Sequence, residues 1–264
     1  MILCSAIIFN MNKLKPIIKV KSLSKKYNGL KAVNHISFDV YEGEIFGILG
    51  PNGAGKTTAI EMIEGLRDID TGDILIDNID IDKNPIKAKE ILGIQLQESE
   101  YFDHLNVCEI LMLFGSFYEK TVNPKDLLDR VELSSKGKSL VKQLSGGQKQ
   151  RLSIALTLVN DPKILFLDEP TTGLDPQARR IMWEFIKNLQ NENKTVILTT
   201  HYMEEAETLC NRVAIMDEGK ILTINSPDNL IKKLLKKGFK KEIKVKEANL
   251  EDVFIDLTGK KLRD

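Results

Sequence analysis

The sequence predicts an α/β fold built on a parallel sheet with helices on its faces, and three observations predict it. Ile45-Phe46-Gly47-Ile48-Leu49 is an unbroken apolar run, and similar runs recur at Ile164–Leu167, Val196–Thr199 and Val213–Met216. A strand covered on both faces reads this way, because neither side alternates toward water. Amphipathic stretches separate the runs, as expected of helices covering the sheet. Finally, the first run ends in Gly50, and a glycine-rich segment leads from it into the helix-like stretch Thr58–Leu66. Strand, glycine loop and helix in that order form a phosphate-binding unit.

The chain has 264 residues, enough for one large domain or one domain with a small inserted lobe. A hydrophobic share of 42% beside a charged share of 29% is that of an ordinary globular protein. Lysine plus arginine balances aspartate plus glutamate at 38 each, so no global field steers the chain onto nucleic acid, and no nucleic-acid partner is expected. Cys4, Cys108 and Cys210 lie far apart without a C-x-x-C pair. They suggest neither a disulfide framework nor a zinc site, and a reducing cytoplasm suits them.

The opening Met1–Phe9 is apolar but far too short for a bilayer span. It also lacks the basic front end of a secretion signal, its first lysine being Lys13. Residues 1–16 are therefore expected to be an extension, with Met11 as the alternative first residue, since a globular pattern begins only near Ile17. No run in the sequence is long enough to cross a membrane, so any action on one would need a partner.

Strand-like patterning covers Ile17–Val20, Ala32-Val33 and Ile36–Val40. The acidic run from Asp68 to Asp82 fails the calcium-loop template, because Gly72 sits where a ligand is needed and no glutamate closes the loop. Ile74, Ile76, Ile79 and Ile81 alternate instead about Asp77-Asn78, which predicts a tight hairpin. From about Ser99 to Gln143 the pattern turns helical. Asn106 is a candidate cap for a helix through Val107, Ile110, Leu111, Phe114 and Phe117, and Pro124 opens another with Leu127, Leu128 and Val131. The lysine-rich tail from Lys232 to Lys246 is by default a solvated face, with contact to an anionic membrane surface as the sharper alternative.

Gly50-Pro51-Asn52-Gly53-Ala54-Gly55-Lys56-Thr57 fits G-x-x-x-x-G-K-[ST] in full. Its glycines let backbone N–H groups turn inward around a β-phosphate, with Thr58 beside them at the helix start. Lys56 is the candidate bridge between β- and γ-phosphates of ATP, and Thr57 a candidate Mg²⁺ ligand. Ile164-Leu165-Phe166-Leu167-Asp168-Glu169 reads as a buried strand ending in two acids. Asp168 would hold Mg²⁺ and Glu169 would orient or deprotonate the attacking water. Ser145-Gly146-Gly147-Gln148 is a second glycine turn opening a helix, with Ser145 as its N-cap and thus an anion site. The helix that follows presents Leu152, Ala155, Leu156 and Val159 on one face.

Leu144-Ser145-Gly146-Gly147-Gln148, upstream of Asp168-Glu169 and downstream of the phosphate loop, resembles the signature sequence of ABC-type ATPases. The resemblance covers roughly Ile17 to Leu230 and implies the ABC ATPase fold: a P-loop core, an N-terminal antiparallel β subdomain and an inserted α-helical lobe. It implies the domains 1–16 (extension), 17–235 (ATPase, with the lobe at about 99–150) and 236–264 (lysine-rich extension). By the same resemblance Gln97 matches the glutamine that senses Mg²⁺ and water, with Gln95 as competitor. Thr172–Pro176, including Asp175, looks like the loop along a dimer seam. His201 matches the histidine that contacts the γ-phosphate, and Tyr27 the aromatic that stacks on adenine. His35, His104 and Trp183 are given no role beyond packing or surface.

Thr199–Glu207 and Asn249–Gly259 resemble the exporter ATPases of the daunorubicin-resistance type. That group implies a homodimer sandwiching two ATP molecules, bound peripherally to a separate membrane permease on the cytoplasmic face. An importer ATPase and a non-transport ABC ATPase are the alternatives. The second would need a long coiled coil or a second cassette, and the sequence carries neither. The transported substrate is not encoded in any of these motifs.

Overall fold

Two sheets share one apolar core, with a helix contributing to the core from the loop between them. The computed structural model describes residues 15–95, 102 and 104–239. The chain divides into a first unit ending at Asp228 and a second starting at Asn229, a line that falls inside the last described helix.

The first sheet begins with β1 (Pro16–Tyr27) and β2 (Leu30–Tyr41), an antiparallel hairpin. Its turn is Asn28-Gly29, both at positive φ (46° and 86°), the pair that a twisted two-residue hairpin requires. The three strand-like segments seen in the sequence thus merge into two long strands, interrupted by register shifts between Val20 and Leu23 and on to Lys26. β4 (Thr71–Ile76) joins β1 and turns back into β5 (Ile79–Asp80), completing the order β2-β1-β4-β5. Asp77 and Asn78 form the predicted turn at φ 47° and 63°.

The second sheet contains the parallel strands β3 (Ile45–Leu49), β6 (Leu92–Gln95), β7 (Ile164–Asp168), β8 (Thr195–Thr200) and β9 (Arg212–Asp217). The sequence did not announce β10 (Lys220–Asn225), which pairs antiparallel at the edge and gives the order β10-β9-β3-β8-β7-β6. No residue of β10 is fully buried, although Ile221 and Ile224 pack against the core. Every residue of β3, β7 and β8 is buried.

Helix α1 (Lys56–Ile63) follows β3 and puts Ala59, Ile60, Met62 and Ile63 into the core shared with Val20, Phe38, Phe46, Ile74, Phe166 and Ile197. It is shorter than the pattern predicted, because Gly65 enters the left-handed region (φ 67°) and ends it. α2 (Pro85–Lys89) leads into β6.

The predicted helical lobe holds α3 (Val107–Gly115), α4 (Pro124–Arg130) and α5 (Gly146–Thr157). α3 starts with a reciprocal cap: Glu109 N–H donates to Asn106 Oδ1 at 2.9 Å, and Asn106 N–H to Glu109 Oε2 at 2.8 Å. Leu152, Ala155, Leu156 and Val159 are all buried, as their spacing predicts. Asn160, just beyond α5, donates to Glu90 O and Leu92 O, both at 3.1 Å, and so fastens the lobe to the start of β6. α6 (Pro176–Asn191) and α7 (Met203–Leu209) flank β8, and α8 (Pro227–Lys236) ends the described chain with exposed lysines. Among the described residues no helix is long and apolar enough to cross a membrane.

Phe46 is fully buried and stacks on Phe38, with ring centroids 5.4 Å apart and planes 8° from parallel. It therefore joins the two sheets. Phe46→Ala is expected to cost about 3–5 kcal/mol in urea unfolding, and a loss below about 1 kcal/mol would show that the sheets do not depend on this contact.

Candidate functional site

The parallel register brings the carboxyl ends of β3, β8 and β7 side by side, Leu49 opposite Thr200 and Asp168 opposite Thr199. Ligands bind at this edge of an open α/β sheet, and every candidate residue on these three strand ends falls there.

After β3 the chain turns through Gly50–Gly55 into α1. Gly55 caps the helix at φ 96°, and a Cβ there would stand 2.1 Å from Ala32 O, so no other residue fits. Pro51, Asn52 and Gly53 are exposed on the loop's outer side and Ala54 is buried on its inner side. Gly55 offers no side-chain cap, which leaves the first-turn N–H groups of Lys56, Thr57 and Thr58 pointing out of the helix as anion donors. Lys56 is buried and donates to Gly50 O (2.9 Å) and Pro51 O (3.1 Å), leaving one of its three donors.

Asp168 ends β7 and faces two hydroxyls. Thr57 Oγ1 donates to its Oδ2 at 3.4 Å, and Thr199 Oγ1 donates to its Oδ1. Burial pushes the Asp168 carboxyl above the usual carboxylate range and the Glu169 charge adds to that, while Thr199, Thr57 and Lys56 pull it back. Hydroxyl and carboxylate oxygens are the donor set a hard divalent ion takes. No group of three or more His, Cys, Asp or Glu among the described residues forms a metal site by itself.

Glu169, the next residue, sits in the left-handed region at φ 48°. Its N–H donates to Thr199 Oγ1 at 3.1 Å, so one hydroxyl serves both acids. Its Oε1 lies 3.0 Å from His201 Nδ1, and its Oε2 accepts from Thr172 Oγ1 at 3.1 Å. His201 follows β8, and its ring lies 4.1 Å from that of Tyr202. Arg179 lies over Tyr202, 5.0 Å from the ring centroid.

The turn before α5 has the geometry its sequence predicted. Ser145 is the N-cap, Gln148 N–H donates to Ser145 Oγ at 3.3 Å, and Ser145 N–H donates to Gln148 Oε1 at 3.0 Å. A Cβ on Gly146 would meet nothing within 4 Å, and one on Gly147 only Leu174 at 3.9 Å. Nothing among the described residues requires glycine at either position, although each costs helix stability relative to alanine. Asp175 caps α6, accepting from Ala178 N–H at 2.9 Å.

Tyr27 ends β1, with Arg67 donating to its hydroxyl at 2.6 Å and Lys25 Nζ lying 5.8 Å from its ring centroid. Gln97 lies outside the described residues. Gln95 is buried at the end of β6, and its Oε1 has no hydrogen-bond partner among them.

Several residues of the site were not legible in the sequence. Thr199 is one. Gln150 is another, donating to Pro170 O at 2.7 Å behind the acidic pair. Glu64 is a third: it is buried at the C-terminal end of α1, and its carboxyl is raised to about 8 by burial, by Asp168 and by Glu61. Thr199 and Gln150 have their partners far away in the chain, and the acid that acts most on Glu64, Asp168, is likewise distant, so no local spacing reveals them.

A glycine loop at a helix start after β3, an acid at the end of β7 with β8 between the two, and a second glycine-opened helix together define a P-loop nucleotide-binding cassette. The ABC transporter family profile matches residues 33–172, just over half of the chain. The chain belongs to the ABC transporter family, as an ATP-binding domain. It is 41% identical over 219 residues to the Nod factor export ATP-binding protein I of Burkholderia lata, covering 81% of this chain and 72% of that protein. It is 39% identical over 223 residues to the linearmycin resistance ATP-binding protein LnrL of Bacillus subtilis, covering 83% and 72%. Among solved structures it resembles the ATP-binding cassette MJ0796, seen as a dimer in a post-hydrolysis state with ADP and Pi. That match has a TM-score of 0.73 at 28% identity, covering 79% of this chain and 98% of that one.

The raised Glu64 carboxyl has a consequence in metal-free, nucleotide-free protein. Its folded value of about 8 exceeds its ordinary 4.5, so its contribution to stability is full below pH 4.5 and is lost as pH rises through about 8. Glu64→Gln is expected to flatten the fall in stability across that window. Urea midpoints taken in EDTA at pH 6 and 8.5 test it, and an unchanged slope would refute it.

Proposed function

We propose that this chain is the ATP-hydrolysing subunit of an ABC exporter, working as a homodimer on the cytoplasmic face of the membrane with a separate permease. The contact between Glu169 Oε1 and His201 Nδ1, at 3.0 Å beside Asp168, carries the hydrolytic half of this reading. The outward-facing signature glycines support the dimeric half. The two export- and resistance-type relatives support the direction of transport.

The loop N–H groups of residues 50–58 cradle the phosphates of ATP, and Lys56 places its ammonium against the β- and γ-oxygens. Thr57 and Asp168, with Gln97, would hold Mg²⁺, which supplies neutralisation of the phosphate charge. Glu169 accepts the proton of the attacking water, and His201 orients that carboxylate and the γ-phosphate. Tyr27 stacks on the adenine. Ser145, Gly146, Gly147 and Gln148 reach the γ-phosphate bound to the second chain, and Asp175 lies along the seam. Binding energy from the two sandwiched nucleotides closes the dimer, and hydrolysis reopens it. The permease follows these two positions and selects the cargo.

Glu169→Gln is expected to lower turnover by roughly 10²–10⁴-fold while ATP binding persists, so that an ATP-bound dimer accumulates in light scattering. Normal hydrolysis by this variant, or a monomer at saturating ATP, overturns the proposal.

A further inference from the structure

Glu169 pays a conformational cost at φ 48°, since a non-glycine residue enters the left-handed region only when its surroundings hold it there. Four contacts do so. Thr199 Oγ1 accepts from Glu169 N–H, Thr172 N–H donates to Glu169 O at 3.1 Å, and Gln150 holds Pro170 O. The fourth is remote and fully buried: Thr171 Oγ1 donates to Glu205 Oε1 at 2.8 Å, with Thr171 1% and Glu205 0% exposed.

Glu205 lies on α7, four residues beyond His201, and Thr171 lies two residues beyond Glu169. Their bond therefore ties the segment that carries the histidine to the loop that carries the acid. Trp183 Nε1 donates to the same Glu205 oxygen at 3.2 Å, which fastens both to α6. The other oxygen, Oε2, is buried without a hydrogen-bond partner among the described residues. An apolar side chain would avoid that desolvation cost. Simple packing therefore does not explain a carboxyl here, whereas the two bonds made by Oε1 do.

We propose that Glu205 is a positioning residue for hydrolysis, holding Glu169 in register with His201 through Thr171. This rests on the hydrolytic role given above to Glu169 and His201. A displacement of an ångström or less at such a pair lowers turnover without altering nucleotide affinity.

The basal ATPase activity of the full chain, with KM for ATP and Tm alongside, tests it. Thr171→Val keeps the shape and removes the donor, and is expected to lower kcat about tenfold with KM within about twofold and Tm nearly unchanged. Thr171→Ser restores the hydroxyl and is expected to recover kcat to within about twofold of the parent. Glu205→Gln keeps an acceptor oxygen and should stay close to the parent, while Glu205→Leu should fall as Thr171→Val does. Combining Thr171→Val with Glu205→Leu should fall no further than the lower single variant. If Glu205→Leu does not fold, the Thr171 pair and Glu205→Gln decide the matter. The inference is overturned by a parental kcat in Thr171→Val, by a Thr171→Ser variant as slow as Thr171→Val, or by losses that multiply in the double variant. Glu169→Gln in the same assay separates the two layers. Normal turnover there removes the hydrolytic role itself, whereas an inactive Glu169→Gln beside a fully active Thr171→Val removes only the part given to Glu205.

Discussion

The parallel ladder across β3, β8 and β7 is the constraint on which the rest of the site depends. It sets Leu49 against Thr200 and Asp168 against Thr199, so three separate loops leave the sheet at one level. The phosphate loop, the acidic pair and His201 are each short extensions of these strands. Because all three strands are buried along their whole length, a slip in register would carry apolar side chains and ladder bonds with it. The positions of the reactive groups are thus inherited from the most rigid part of the molecule.

Thr199 is where that inheritance becomes chemistry. Its hydroxyl donates to Asp168 and accepts from the N–H of Glu169, fixing the proposed metal-holding oxygen and the proposed general base through one atom. The site also holds features that oppose stability: the left-handed backbone at Glu169, the raised carboxyls of Asp168 and Glu64, and the Oε2 of Glu205, which has no hydrogen-bond partner among the described residues. Such costs persist only where surrounding structure over-determines the geometry. The core joined by Phe38 and Phe46 supplies that rigidity.

The helical lobe contributes differently. Its capped helices are held by local bonds, and Asn160 fastens it to the start of β6. It turns the N-terminus of α5 outward with Gly146 exposed. Ser145 caps that helix start from within its own chain, and in the proposed dimer the exposed glycine beside it faces the nucleotide of the second chain.

Much of the fold was legible because the signals are local. Buried strands read as apolar runs, Asp77-Asn78 as a hairpin turn, Asn106 and Ser145 as helix caps, and Gly50–Thr57 as a loop in which Gly53 and Gly55 take positive φ. Each depends on residues a few positions apart, so sequence alone determined the buried strands, the caps and the family-level motifs. Tertiary structure decided what pairs with what. It made β10 an antiparallel edge, set Thr199 between the two acids, brought Gln150 to Pro170, and joined Thr171, Trp183 and Glu205 around one buried oxygen. These bonds span up to 34 positions and exist only once burial has removed water as the competing partner. No periodicity or spacing encodes them, because their energy arises only when the sheet has closed over its core.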